Sequence, residues 1–162
     1  MSDEKQAPAQ YNESIKRWIS FYLGDECYAV ELRDVREILR INQILPVPGA
    51  PAHVLGITNI RGSVVAVIDG RQRIGLPDQP QDDLSRMIVL EYGDEVVCMV
   101  VDRVADVIDV PACEINPNPK INTHQGKKYI KGVVQHNNKL IIILNIERFL
   151  GAESCESMAV GF

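Results

Sequence analysis

Hydrophobic and polar positions along the chain fall into short runs separated by turn residues, with little helical period. From Trp18 the runs Trp18-Ile19-Ser20-Phe21-Tyr22-Leu23 and Cys27-Tyr28-Ala29-Val30-Glu31-Leu32 flank Gly24-Asp25-Glu26. Aromatic and β-branched residues around a short Gly-Asp turn predict a β-hairpin. Apolar residues at 32, 35, 38 and 39 come near helical spacing, so 32–39 reads as a short helix or a curled strand. Pro46, Pro48 and Pro51 forbid a central strand and mark a loop or an edge. Gly56 to Ile60 and Ser63 to Ile68 then flank Arg61-Gly62 as a second hairpin. After the polar loop Gln79 to Asp83, the runs Met87 to Tyr92 and Val96 to Val101 around Gly93-Asp94-Glu95 rebuild the first hairpin. A further loop is expected from Pro117 to Lys128, and Ile130 to His136 with Lys139 to Leu144 rebuild the second. Residues 1–15 read as a loose polar lead, 16–150 as one folded unit, and 151–162 as a tail.

The recurrence is an internal repeat. At an offset of 69 residues Gly24-Asp25-Glu26 falls on Gly93-Asp94-Glu95, carrying Val35 onto Val104, Glu37 onto Asp106 and Ile38 onto Val107. At an offset of 76, Gly56 through Gly75 falls on Gly132 through Gly151, matching Val64 to Leu140, Val67 to Ile143 and Asp69 to Asn145. Each half holds four or five short strands, the spacing of a small barrel, and neither offers a generous core alone. The pattern predicts a mainly β chain, two small barrels packed on a common apolar seam.

Composition narrows the function classes. The chain has 162 residues, 46% hydrophobic and 24% charged, as ordinary globular domains do, and its length can bury a substantial core without staples. The net charge of −5 is the wrong sign for tracking phosphates, so nucleic acid is not an expected partner. The acidic start lacks the basic and apolar regions of a secretory signal, and the apolar runs are too short to cross a bilayer as helices, so a cytoplasmic location is expected. Cys27, Cys98, Cys113 and Cys155 form no Cys-x-x-Cys pair and have no histidine at ligand spacing, so no metal site is expected.

Catalytic constellations are hard to assemble from these residues. The chain has no Gly-x-Ser-x-Gly elbow, and Gly126-Lys127 lacks the upstream glycine of a phosphate loop, Ile121 standing there. His53, His124 and His136 are isolated from one another and read as structural or surface residues. Asp69, Asp102, Asp106 and Asp109 lie at strand ends, where an acid and base pair is conceivable and simple solvation explains them equally well. Arg61-Gly62 stands out instead. The glycine suits a turn position of positive φ and leaves the arginine projecting, a side chain favoured in interfaces for its flat, forked donor set. The other half solves the same turn with Asn137-Asn138, without charge.

Val35-Arg36-Glu37-Ile38, Gly56-Ile57-Thr58-Asn59-Ile60-Arg61-Gly62, Val67-Ile68-Asp69-Gly70-Arg71, Val100-Val101-Asp102-x-Val104 and Ile143-Leu144-Asn145-Ile146-Glu147 together resemble the CheW family of chemotaxis coupling proteins. The similarity runs from about Trp18 to Leu150 in the same order and spacing. It implies two interleaved SH3-like five-stranded barrels sharing a hydrophobic core, with short helices. It also implies a non-catalytic adaptor, needing no cofactor, that joins transmembrane chemoreceptors to the histidine kinase CheA, with ring assemblies of the two related folds. Carried onto this chain, the resemblance implies kinase contacts at Val35, Glu37 and Gly56. Receptor contact and coupling are implied at Arg61 and Val107, with Met87 and Ile88 beside them. The chain departs from the family in having Ile60 and Gly70 where leucine is usual. The alternatives are the coupling half of a CheV-type protein, the isolated regulatory domain of CheA, and, more distantly, a small β-barrel enzyme using Asp69 and Asp102.

Overall fold

The structure, a computed structural model, describes residues 15–77, 79–117 and 129–150. The lead 1–14, the tail 151–162, His124, Gly126-Lys127, Cys155 and most of the loop expected over 117–128 lie outside the described residues. The first half runs β1 (Ile15–Leu23), β2 (Glu26–Glu31), a 3-10 turn (Leu32–Asp34), β3 (Val35–Arg40), β4 (Val54–Ile60), β5 (Ser63–Asp69) and a one-turn helix α1 (Gly70–Arg73). The second runs β6 (Arg86–Tyr92), β7 (Glu95–Val101), β8 (Arg103–Pro111), a 3-10 turn (Ala112–Glu114), β9 (Ile130–His136), β10 (Lys139–Leu144) and helical residues 146–150. The ambiguous segment 32–39 is thus one tight turn followed by a strand. Its apparent helical spacing comes from laying a turn of three residues against strand alternation.

The sheets do not follow the halves. One has strand order β3-β6-β7-β5-β4, the first barrel here, and the other β8-β1-β2-β10-β9, the second barrel. Advancing every strand of the second order by five produces the first, so the halves exchange their leading hairpins across a pseudo-twofold. Each exchange is sealed by a parallel pairing, β2 with β10 and β5 with β7.

This exchange explains why β6, β7 and β10 read as nearly unbroken apolar runs, since strands buried on both faces need no polar alternation. In β6, Met87 and Val89 point into the first barrel while Ile88 and Leu90 point into the core between barrels. In β10, Ile141 and Ile143 fill the second barrel while Ile142 and Leu144 join the same shared core. Each fully buried side chain of this size contributes roughly 1.5–3 kcal/mol. The shared core, with Phe21, Leu23, Met99 and Phe149 among its members, therefore binds the barrels into one unit.

Polar ties cap the helical turns and join the halves. Asp69 caps α1 by accepting from the Arg71 N–H at 3.0 Å, and its repeat partner Asn145 accepts from Arg148 N–H at 3.3 Å. Asp102 accepts from Gly24 N–H at 2.7 Å and from Arg71 Nη1 at 2.6 Å. Both aspartates of the enzyme alternative are therefore committed to holding the fold. Arg73 is buried, donating to the Phe149 carbonyl at 3.0 Å, with its guanidinium 4.7 Å from the Tyr129 ring centroid and Nη1 3.1 Å from His53 Nε2. Such partners offset the cost of taking a guanidinium out of water. Gly70 stands where a Cβ would approach the Val100 carbonyl oxygen to 2.8 Å and Leu23 Cδ2 to 3.0 Å. The main chain closes over the place where the family's usual leucine would project.

Candidate protein-interaction site

Among the residues singled out in the sequence, Glu37 and Arg61 come together. Sheet order puts β3 and β4 at opposite edges of the first barrel, and curling brings those edges toward each other. Arg61 on the β4–β5 turn then reaches Glu37 on β3 with Nε 3.2 Å from Oε2 and Nη2 3.0 Å from Oε1. A forked pair of this kind fixes orientation as well as distance. The Arg61 hydrogen bonds hold the Glu37 carboxyl below the usual carboxylate range, with charge attraction adding to the effect and partial desolvation opposing it. The same bonds raise the Arg61 guanidinium. Beside this clasp, Arg36 Nη1 lies 3.8 Å from Glu91 Oε2. The clasp spans a cavity of about 100 Å³ lined by Val65, Val89 and Val96 of the barrel interior.

The turn itself is held in an unusual conformation. Arg61 has φ 52° and Gly62 φ 88°, so both central residues, and not the glycine alone, adopt the left-handed region of a type I′ hairpin. Asn137 and Asn138 do the same at φ 51° and 62°. Asparagine tolerates that region through its short polar side chain, whereas arginine does not favour it. The turn is stabilised by Gly62 N–H donating to Asn59 Oδ1 at 2.9 Å and by the clasp to Glu37. An arginine there carries a conformational cost, which the clasp to Glu37 helps to offset.

The remaining residues separate. Val35 is half-buried on β3 against the shared core. Gly56 is buried, and its role is steric: a Cβ would meet the Leu45 carbonyl oxygen at 2.1 Å, at a φ of 151°. Its absence lets Leu45 bridge Ile57 through two 2.8 Å backbone bonds that cover the edge of β4. Gly132 does the same in the other half, where a Cβ would lie 2.6 Å from the Asn116 carbonyl oxygen and Asn116 bridges Val133. Gly56 therefore shapes the surface through the loop it admits, and any contact it influences is made by its neighbours. Met87 and Ile88 are fully buried, in the first barrel and the shared core respectively. Neither presents side-chain surface to a partner, because β6 lies between β3 and β7 with both faces covered. Val107 is 57% exposed on β8, at the edge of the second barrel.

Two features escaped the sequence reading. Leu45 and Val64, 54% and 65% exposed, flank a groove of about 270 Å³ with Ile57 and Asn59 on the far side of the Arg61 hairpin. Exposed apolar residues also recur in repeat-related pairs, Ile38 with Val107 and Val64 with Leu140. The two offsets predict that pairing, but only burial distinguishes an outward valine from an inward one. Cys27 and Cys98 are core residues and Cys113 is exposed: burial pushes the Cys98 thiol up to about 12, helped by the Glu37 charge, and raises Cys27 as well. Among the described residues, no three His, Cys, Asp or Glu side chains group as a metal site, and no helix is long and apolar enough to cross a membrane.

Comparison with known proteins converges on one family. The CheW-like domain profile matches residues 17–154. The chain is 32% identical to the chemotaxis protein CheW of Bacillus subtilis over 142 residues, covering 88% of this chain and 91% of that one. It is 28% identical to CheW of Treponema pallidum over 159 residues, covering 96% and 94%. The crystal structure of the scaffolding protein TtCheW from Thermoanaerobacter tengcongensis superposes with a TM-score of 0.75 at 30% identity, covering 80% of this chain and 88% of that one. With two interleaved barrels, a shared core and this sequence similarity over nearly its whole length, the chain belongs to the CheW family of chemotaxis scaffold and coupling proteins.

Proposed function

We propose that this protein acts in the cytoplasm as the adaptor between transmembrane methyl-accepting chemoreceptors and the histidine kinase CheA, and is recruited to receptor arrays at the cell pole. The observation that carries this reading is the Glu37–Arg61 clasp: a forked ion pair at one barrel end, on a turn whose backbone disfavours arginine, next to the exposed Leu45 and Val64 groove. Exposed apolar surface supplies buried contact area, while the charges select the partner and set its register. In this reading Val35, Glu37 and the loop admitted by Gly56 meet the regulatory domain of CheA. Arg61 and Val107 serve receptor contact and coupling, and Met87 and Ile88 act only by supporting β3 from within. No covalent step is involved. Repeat-related apolar residues on both barrels support ring assemblies with the kinase domain, in which individually weak contacts gain from high effective concentration.

Arg61→Glu is expected to keep the fold and to abolish receptor control of kinase activity in a reconstituted receptor, CheA and adaptor assembly. Normal control by the folded variant would overturn the assignment of Arg61. Glu37→Lys reverses a contact charge and is expected to weaken CheA binding about tenfold by titration calorimetry. An unchanged affinity would remove Glu37 from the interface.

A further inference from the structure

At the end of the second barrel, two cationic side chains converge on one aromatic ring. The β1–β8 register places Arg103 directly across from Tyr22, and its guanidinium stacks 4.1 Å from the ring centroid. From the other side Lys139, which opens β10 after the Asn137-Asn138 turn, hydrogen-bonds Tyr22 Oη and lies 5.0 Å from the same centroid. An ammonium group can only donate, so the phenolic oxygen is the acceptor of that bond and its own O–H is left to donate elsewhere. Among the described residues neither Arg103 nor Lys139 forms an ion pair. The Tyr22 hydrogen bond raises the Lys139 ammonium, and the charge of Asp106, the repeat partner of Glu37, adds to it without closing into an ion pair; the Asp106 backbone is engaged by the Ser20 hydroxyl at 3.0 and 3.1 Å. In the first barrel, by contrast, Arg36 and Arg61 each close an ion pair with a glutamate.

We infer that Tyr22, Arg103 and Lys139 form a second docking surface, for a carboxylate-rich segment of a partner protein. The guanidinium fork suits a carboxylate in plane, while the remaining ammonium hydrogens can take a second one. The ring holds both cations in place, so little side-chain freedom is lost when the acid arrives. A phosphate-coated membrane or nucleic acid is disfavoured, because a chain of net charge −5 repels an extended polyanion beyond these two cations. A short acidic segment avoids that repulsion. This surface is separate from the Glu37–Arg61 clasp and does not depend on what the clasp binds.

The test is an NMR titration of the full chain with an oligoglutamate peptide at low salt. Shifts are expected at Tyr22, Arg103, Lys139 and their neighbours, with affinity falling about tenfold in Arg103→Gln/Lys139→Gln and several-fold in Tyr22→Phe. Arg33→Gln, which removes an exposed cation elsewhere, should bind as the unaltered chain does. Absence of localised shifts, or equal weakening by Arg33→Gln, would overturn the inference. So would displacement of the peptide by inorganic phosphate or anionic-lipid vesicles at lower concentration than the peptide itself needs.

Discussion

At the end of the first barrel Arg36 and Arg61 are matched by Glu91 and Glu37; at the corresponding end of the second, the repeat puts Ala105 and Asn137 in place of the arginines and Tyr22 and Asp106 in place of the glutamates. The backbone beneath these substitutions is conserved between the halves. Both hairpins are type I′, both penultimate strands carry a glycine admitting a bridging loop, and the end of each final strand leads into a helical turn capped by Asp69 or Asn145. What the halves share is therefore what closing a small barrel requires. What differs is the charge each end shows to solvent, which closure does not constrain: a clasp closed by ion pairs on one barrel, two cations stacked on a tyrosine without an ion pair on the other.

The comparison can be broken first in the core. Ile88 and its repeat partner Ile19 are both buried, so Ile88→Ala and Ile19→Ala should each destabilise by about 2–5 kcal/mol in urea unfolding. Near-neutral stability for Ile88→Ala would return that residue to the surface. The bridging glycines come next. Gly56→Ala should cost about 3 kcal/mol and Gly132→Ala about 1–2 kcal/mol, because the overlap with carbonyl oxygen is deeper at Gly56 and its φ is positive. Equal losses would mean that the Leu45 loop yields more readily than the Asn116 loop.

The smallest effect separates the two ends most directly. Arg61→Asn gives the first hairpin the residue that the second uses, with no loss of fold expected. Glu37 titrates below the ordinary carboxylate range in the folded protein, so the clasp contributes fully above the unfolded pKa of that carboxyl. Its contribution is lost as the pH falls through the lower folded value. In Arg61→Asn the carbon-detected NMR midpoint of Glu37 should rise to the ordinary value and this part of the acid dependence of stability should vanish. A midpoint that stays low would show that groups other than Arg61 hold the carboxylate.

Much of this was legible in the chain itself. Alternation and Gly-Asp or Arg-Gly turns specify the hairpins, because strand period and turn chemistry are local properties. The offsets of 69 and 76 residues locate the repeat, and with it the pairing of Asp69 with Asn145 and of Gly56 with Gly132. The motif around Arg61 points to the family. Segment 32–39 stayed ambiguous because three residues of tight turn displace the apolar period of the strand that follows.

The sequence by itself determined the approximate places of four hairpins, eight of the ten strands among the described residues, together with the twofold repeat and the membership in a family. Only the tertiary structure decided that the leading hairpins change barrels, that Met87 and Ile88 face inward on both sides of one strand, and that Gly56 makes room for the Leu45 carbonyl. It also decided that Glu37 finds its arginine while Asp106 does not find one. The physical reason is range. Periodicity says which side chains share a face, but what covers that face is set by strands many residues away, and by the closure that brings two sheet edges within reach of one ion pair.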